Sequence, residues 1–296
     1  MREIQKQVKE IKRPFGLFLS GGIDSGFLAS IAKPDIVFTC KFPYGKKYDE
    51  FKDAKKTVKH LKLKQVVITP TKEDFFKYLP EALKMHKLTS HFSLVPLFML
   101  FKEAKERGIT TILSGEGPDE YLGGYASYVF IKQEQDMYNL ASLKNYKSAL
   151  DKYLGDPMYR FAKILNRKPE ELKPYWKKYR YLLSKMGYCD LILRGIEEME
   201  LDLAKGHGIN LLYPYMTEKI ENFCFKKVRD DYKISGGITK HIFRKVVQNY
   251  IPSSVAWRLN KMGGPVAPVG KWLGEENEFS KEKYLDLQYK IIHENK

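Results

Sequence analysis

Cysteine is scarce: the chain has three in 296 residues, Cys40, Cys189 and Cys224, and they stand far apart. An odd number without close spacing supports neither a disulfide framework nor a zinc site, and suits a reducing compartment. All three read as packing residues. The six histidines make no metal-ligand cluster in sequence. Long apolar runs are missing too. Spanning a bilayer takes about 20 apolar residues, and the greasiest stretch, Leu94 to Phe101, is far shorter. Met1 to Arg13 is charged and helix-prone, with no apolar signal-peptide core. The expectation is a cytoplasmic protein with no membrane partner. Acidic residues are under-represented, 36 against 52 Lys and Arg, for a formal net charge of +16. Such a field attracts anions. Its cations, however, are spread as lysine pairs along the helices, without a basic tail or a DNA-reading motif. A solvated surface is therefore the favoured reading, with tRNA the alternative and nucleic acid not expected as a partner. No repeat or low-complexity segment interrupts the chain.

What is present is an alternation of short apolar strands and helical patterns over the first half, which argues for a parallel sheet. Strands are expected at Phe15 to Leu19, Ile36 to Cys40, Gln65 to Ile68 and Thr110 to Leu113. Between them, Ser25 to Ala32, Tyr48 to Leu61 and Pro96 to Arg107 read as helices. Thr71 with Asp74 reads as a capping box opening another. From about Tyr128 strand signals fade and Lys- and Tyr-rich helical segments take over. The fold class is α/β: a parallel twisted sheet flanked by helices, with a helical C-terminal region. Residues 1–127 form the α/β core, and 128–296 complete the same domain.

The first strand runs into Leu19-Ser20-Gly21-Gly22-Ile23-Asp24-Ser25. Two adjacent glycines turn the backbone tightly and present consecutive N–H groups to an anion at a helix N-terminus. Ser20 and Ser25 add hydroxyl donors, and Asp24 adds a carboxylate able to hold Mg²⁺ against phosphates. There is no Gly-Lys-Ser/Thr ending, which excludes a Walker loop. The bland alternative is a Gly-Gly turn joining any strand to any helix. Five fixed positions recur by chance on the order of once per million start points, which weighs against it.

After the fourth strand comes Ser114-Gly115-Glu116-Gly117-Pro118-Asp119-Glu120-Tyr121-Leu122-Gly123-Gly124-Tyr125. In open parallel sheets ligands bind at the carboxyl ends of the strands, so this segment and the Ser20 loop are expected to share one crevice. Three carboxylates so close need a metal, a cation or a shifted proton to coexist. Asp24 and Asp119 are thus candidates to share one Mg²⁺. A glycine-rich helix cap would explain Asp119 and Glu120 through the helix dipole, but not Glu116 between two glycines.

The first loop resembles the Ser-Gly-Gly-x-Asp-Ser pyrophosphate loop of enzymes that split ATP into AMP and pyrophosphate. The two motifs together, about ninety residues apart, resemble the synthetase domain of asparagine synthetases and the related β-lactam synthetases. Gly236 to Arg244 is similar to the family's Thr-Lys-x-x-Leu-Arg helix. Trp257-Arg258-Leu259-Asn260-Lys261-Met262-Gly263, followed by Pro268 and Trp272-Leu273, is similar to its Arg-x-Lys-Met-Gly-Phe loop, giving an active-site loop at 257–273. Tyr213-Pro214-Tyr215-Met216 matches its Pro-Phe-Leu-Asp stretch more loosely.

That resemblance implies a role for each matching residue. Ser20, Gly21, Gly22 and Ser25 cradle the pyrophosphate part of ATP, and Leu19 and Gly115 lie by the adenosine. Asp24 and Asp119 bind Mg²⁺. Glu116 orients or deprotonates the amine, and Lys261 stabilises the charge that develops as pyrophosphate leaves. Lys240 and Arg244 assist at phosphate or, for Arg244, serve packing. The implied reaction is adenylation of a carboxylate followed by attack of ammonia, with aspartate becoming asparagine.

Departures from the pattern matter. Arg2 stands where the family's glutaminase domain has its nucleophilic cysteine, and only about fifteen residues precede the first strand. The expectation is an ammonia-dependent ligase, or one served by a separate glutaminase. The family's Glu-x-Arg is Asn210-Leu211-Leu212, its Asp is Thr217, and its Phe after Lys-Met-Gly is Gly264. These bear on aspartate specificity more than on ATP chemistry. A β-lactam-synthetase-like ligase with another carboxylate or amine, a tRNA-modifying pyrophosphate-loop enzyme and a non-catalytic ATP-binding remnant are the alternatives.

Overall fold

Short runs rich in β-branched and aromatic side chains form strands of only three to five residues. The computed structural model describes residues 1–45, 48–142, 155–193, 196–259, 266–277 and 281–294. Chain order begins α1 (Arg2–Lys9), β1 (Gly16–Phe18), α2 (Ile23–Ala32), β2 (Ile36–Cys40) and α3 (Phe51–Leu61). It continues β3 (Gln65–Ile68), α4 (Lys72–Met85), α5 (Leu94–Glu106), β4 (Thr111–Leu113), α6 (Pro118–Leu122) and α7 (Ala126–Ser142). Helices dominate the described residues beyond 155, where one further strand occurs, β5 (Asn210–Leu212).

β2 and β3 have the bounds expected from sequence. The capping box at α4 is also formed: Asp74 N–H donates to Thr71 Oγ1 and Thr71 N–H to Asp74 Oδ2, each at 3.1 Å. β5 corrects the expectation that strands end before Tyr128. Three residues beginning with an exposed Asn carry too little pattern to separate a strand from a loop.

The five strands form one parallel sheet in the order β3-β2-β1-β4-β5. Leu17 of β1 lies beside Val37 on one flank and Leu113 on the other, and all three are fully buried. Burying such side chains contributes roughly 1.5–3 kcal/mol each. The apolar Leu94 run became α5, buried on nearly every side because it lies against β2, α4 and helix Ile196–His207. The chain winds outward from β1 to β3, then returns to β4 on the other flank. That reversal puts a topological switch point at the carboxyl ends of β1 and β4.

Two compact units divide the chain. The first comprises Met1–Gly115, Ile196–Pro214 and Gln248–Lys296 and holds the whole sheet. The second comprises Glu116–Gly195 and Tyr215–Val247, and has its own core around Tyr128, Phe161, Leu172, Leu183, Met186 and Ile234. No described helix is long and apolar enough to cross a membrane.

Candidate active site

In the sheet-bearing unit, Leu19 extends β1 by one bond, its N–H donating to Phe38 O at 2.9 Å, and the chain then turns. The turn is closed by hydroxyls. Ser20 N–H donates to Ser25 Oγ at 3.1 Å, Gly22 N–H to Ser20 Oγ at 3.0 Å, and the two hydroxyls bond each other at 3.0 Å. Ser25 is buried beneath the turn. Gly22 is the N-cap of α2 and offers that helix's first-turn amides no side chain, leaving a positive dipole end of the kind that suits an anion. Asp24 stands in that first turn. Gly115, two residues beyond β4, crosses directly over Ser25; a Cβ there would come within 3.0 Å of the Ser25 nitrogen. The ends of β1 and β4 therefore do meet at the switch point, with Leu19 to Ser25 on one strand end and Gly115 on the other.

The outer side of the loop is equally close. A Cβ on Gly21 would lie 2.5 Å from the Glu50 carbonyl oxygen and 2.6 Å from Glu50 Cβ, so only glycine allows α3 to start against this turn.

The second unit carries the acidic segment. Gly117 caps α6, Pro118 fills its first position, and Asp119 and Glu120 occupy its first turn, where the dipole favours carboxylates. Glu116 precedes the cap and is half-buried. Asp119 Oδ1 forms an ion pair with the Lys240 ammonium at 2.7 Å, and Lys240 is nearly sealed from water. A Cβ on Gly124 would fall 1.7 Å from that Asp119 oxygen, so Gly124 keeps the ion pair's space open. Glu120 turns inward and accepts the Tyr125 hydroxyl at 2.5 Å. Burial first, and then the neighbouring Asp119, push its carboxyl up to about 7. Deeper in the same unit Tyr128 donates to the fully buried Asp190 at 2.6 Å.

Lys240, expected at phosphate, pairs with Asp119. Arg244 is buried and donates to Thr239 O at 2.8 Å, bracing the turn that carries Lys240. Thr217 caps the following helix, accepting Ile220 N–H. Lys261 lies outside the described residues, as do 260 and 262–265 of the expected loop. Sequence reasoning missed the inward turn of Glu120 and its tyrosine partner; the buried Tyr121 and Tyr128 nearby were the available signal. It also missed what backs Gly21, which nothing local encodes.

The donors suit Mg²⁺. Asp24 is a hard carboxylate in the first turn of α2, at the positive end of the helix dipole, and Mg²⁺ takes one or two carboxylates together with phosphate oxygens. Asp119 has the same chemistry, with one oxygen already on Lys240.

The Asparagine synthase family matches residues 3–290. Among curated proteins the chain is similar to asparagine synthetase (glutamine-hydrolyzing) 1 of Bacillus subtilis (strain 168), at 28% identity over 89% of this chain and 48% of that protein. It is 33% identical to a putative asparagine synthetase (glutamine-hydrolyzing) of Mycobacterium tuberculosis (strain ATCC 25618 / H37Rv), over 87% of this chain and 45% of the relative. Asparagine synthetase B of Escherichia coli (strain K12) is 21% identical over 93% and 45% respectively. The chain spans about half the length of these curated relatives. With a family match running over nearly its whole length, the chain belongs to the asparagine synthase family.

Proposed function

We propose that this chain is an ATP-dependent amide-forming ligase that activates a carboxylate as an acyl-adenylate and passes it to ammonia, with aspartate as the acceptor and asparagine as the product. The observation that carries this reading is the anion cradle at the end of β1, hydroxyl-braced from within by Ser20 and Ser25 and crossed by Gly115.

A carboxylate does not react with ammonia at neutral pH, because its carbonyl is a poor electrophile and its oxygen a poor leaving group. Attack of that oxygen on the α-phosphorus of ATP turns it into AMP, a good leaving group, and releases pyrophosphate. In the proposed mechanism the amides of Gly21 and Gly22 and the hydroxyls of Ser20 and Ser25 hold the departing pyrophosphate, while Leu19 and Gly115 border the adenosine. Lys261 balances the charge that gathers on the leaving group. Glu116 orients ammonia or takes its proton as nitrogen attacks the acyl carbon. Asp24 and Asp119 would hold Mg²⁺, which when bound neutralises phosphate charge. Lys240 holds Asp119 in place through their ion pair. The ammonia is free or delivered by a glutaminase.

Incubation with ATP, Mg²⁺, aspartate and ammonium is expected to yield asparagine, AMP and pyrophosphate in equal amounts. Release of ADP, or no aspartate-dependent exchange of pyrophosphate into ATP, overturns the aspartate reading. A ligase for another carboxylate is the second reading. Thr217 favours it, since it spends its side chain on a helix cap where the family carries an aspartate. Exchange supported by a different carboxylate in a panel would select it.

A further inference from the structure

Glu50 and Asp53, the two residues whose atoms press on Gly21, share a second feature: both give their carboxylates to one arginine. Arg258 donates from Nη2 to Glu50 Oε1 at 2.5 Å and from Nη1 to Asp53 Oδ2 at 3.1 Å. The three side chains are 10–18% exposed, so the ion pairs are largely withdrawn from solvent. The Glu50 carbonyl accepts from Asp53 N–H and Ala54 N–H at 3.0 and 3.1 Å, and so opens α3. The same carbonyl is 2.5 Å from where a Cβ of Gly21 would be, and Asp53 Cβ is 3.2 Å away. The first turn of α3 is thus the outer wall of the phosphate cradle.

We propose that Arg258 is a positioning residue for the Ser20–Ser25 loop, acting through Glu50 and Asp53; the inference rests on the nucleotide reading above. Two adjacent glycines carry high conformational freedom, and a cradle of amides works only when held close to its productive geometry. The serine hydroxyls fix the inner side of the turn. The wall of α3 fixes the outer side, and Arg258 fixes the wall. Charge points the same way. Two carboxylates behind an anion site repel its ligand, and Arg258, with Lys56 on Asp53 at 2.7 Å, offsets both. A guanidinium fork reaches two carboxylates at once, whereas a lysine ammonium is a point charge on a flexible stem.

A mere tertiary staple would affect stability alone, so the test reads nucleotide binding and loop protection. Calorimetric titration with Mg²⁺ and ATP is expected to show R258A and R258K binding about tenfold to hundredfold more weakly than the parent chain. E50Q is expected to weaken binding similarly, and R258A/E50Q no further than R258A alone, because the residues act as one unit. R107A, which removes only an exposed pair with Glu103, is the control and leaves binding unchanged. Amide hydrogen exchange at Gly21 and Gly22, which needs no ligand, is expected to speed up in R258K. If R258A does not fold, R258K and E50Q carry the same test. Parent-like binding in folded R258K, or effects that multiply in the double variant, overturns the proposal. A parent chain that binds no ATP sinks the nucleotide reading instead, and unchanged exchange at Gly21 and Gly22 then overturns the clamp independently.

Discussion

Glu116 and Glu120 are four residues apart, Glu116 ahead of the α6 cap and half-buried, Glu120 buried with its carboxylate on the Tyr125 hydroxyl. In the proposed mechanism Glu116 is the carboxylate that meets the amine. Glu116→Gln keeps shape and removes the base. It is expected to slow amide formation about 10²- to 10⁴-fold, while aspartate-dependent pyrophosphate exchange stays within a few-fold of the parent. Equal loss in both assays would assign Glu116 to ATP handling. Lys240 makes a different prediction, because it is buried against Asp119. Removing one partner of a buried pair strands the other charge, at a cost of about 3–5 kcal/mol. Urea unfolding of Lys240→Met is expected to show such a loss, and the double variant with Asp119→Asn should recover a large part of it. No recovery would mean that Lys240 stabilises through packing alone.

At the scale of elements, legibility in the sequence followed the range of the interaction. β2, β3 and the Thr71–Asp74 box depend on residues within a few positions of each other, and each stands where its pattern puts it. The Ser20 loop was legible for the same reason: strand, paired glycines and helix are contiguous. β5 was not, because three residues at the flank of β4 are a strand only by virtue of a partner about a hundred positions earlier. The Arg258 clamp joins residues more than two hundred positions apart, among many interchangeable surface lysines and arginines. Lys240 is expected at phosphate from its motif, whereas its ion pair with Asp119, about 120 positions earlier, has no local signal. Local caps should carry local energies. Thr71→Ala is expected to cost about 1 kcal/mol in urea unfolding, and Thr71→Ser to restore most of it. A loss near zero would mean that α4 is held by its packing alone.

For the molecule as a whole, +16 of net charge with a sequence pI near 9.4 makes the alkaline side of its stability curve informative. Lys233 is fully buried, donates to Ser184 Oγ at 2.7 Å and faces Asp230. Burial lowers its ammonium to about 8 against an ordinary 10.5. Between those values the unfolded chain binds the proton and the folded chain does not, so this group makes stability rise with pH, by up to ~3 kcal/mol at full shift. Tyrosines act in the opposite sense. Burial raises Tyr128, where Asp190 adds to the effect, and Tyr284. Above about pH 10 the unfolded chain ionises them while the folded chain does not, and stability falls. Burial also raises the thiols of Cys40, Cys189 and Cys224 above their ordinary 9.0, so urea midpoints are expected to climb from about pH 8 and turn over near pH 9. Declining self-repulsion as the net charge shrinks would also produce a climb, so the pair must be tested directly. Lys233→Met with Asp230→Asn removes the buried base without stranding its acid, whose carboxyl burial also raises. That double variant should flatten the rise while keeping the downturn. A climb of unchanged height would place its origin in the molecule's overall charge rather than in Lys233.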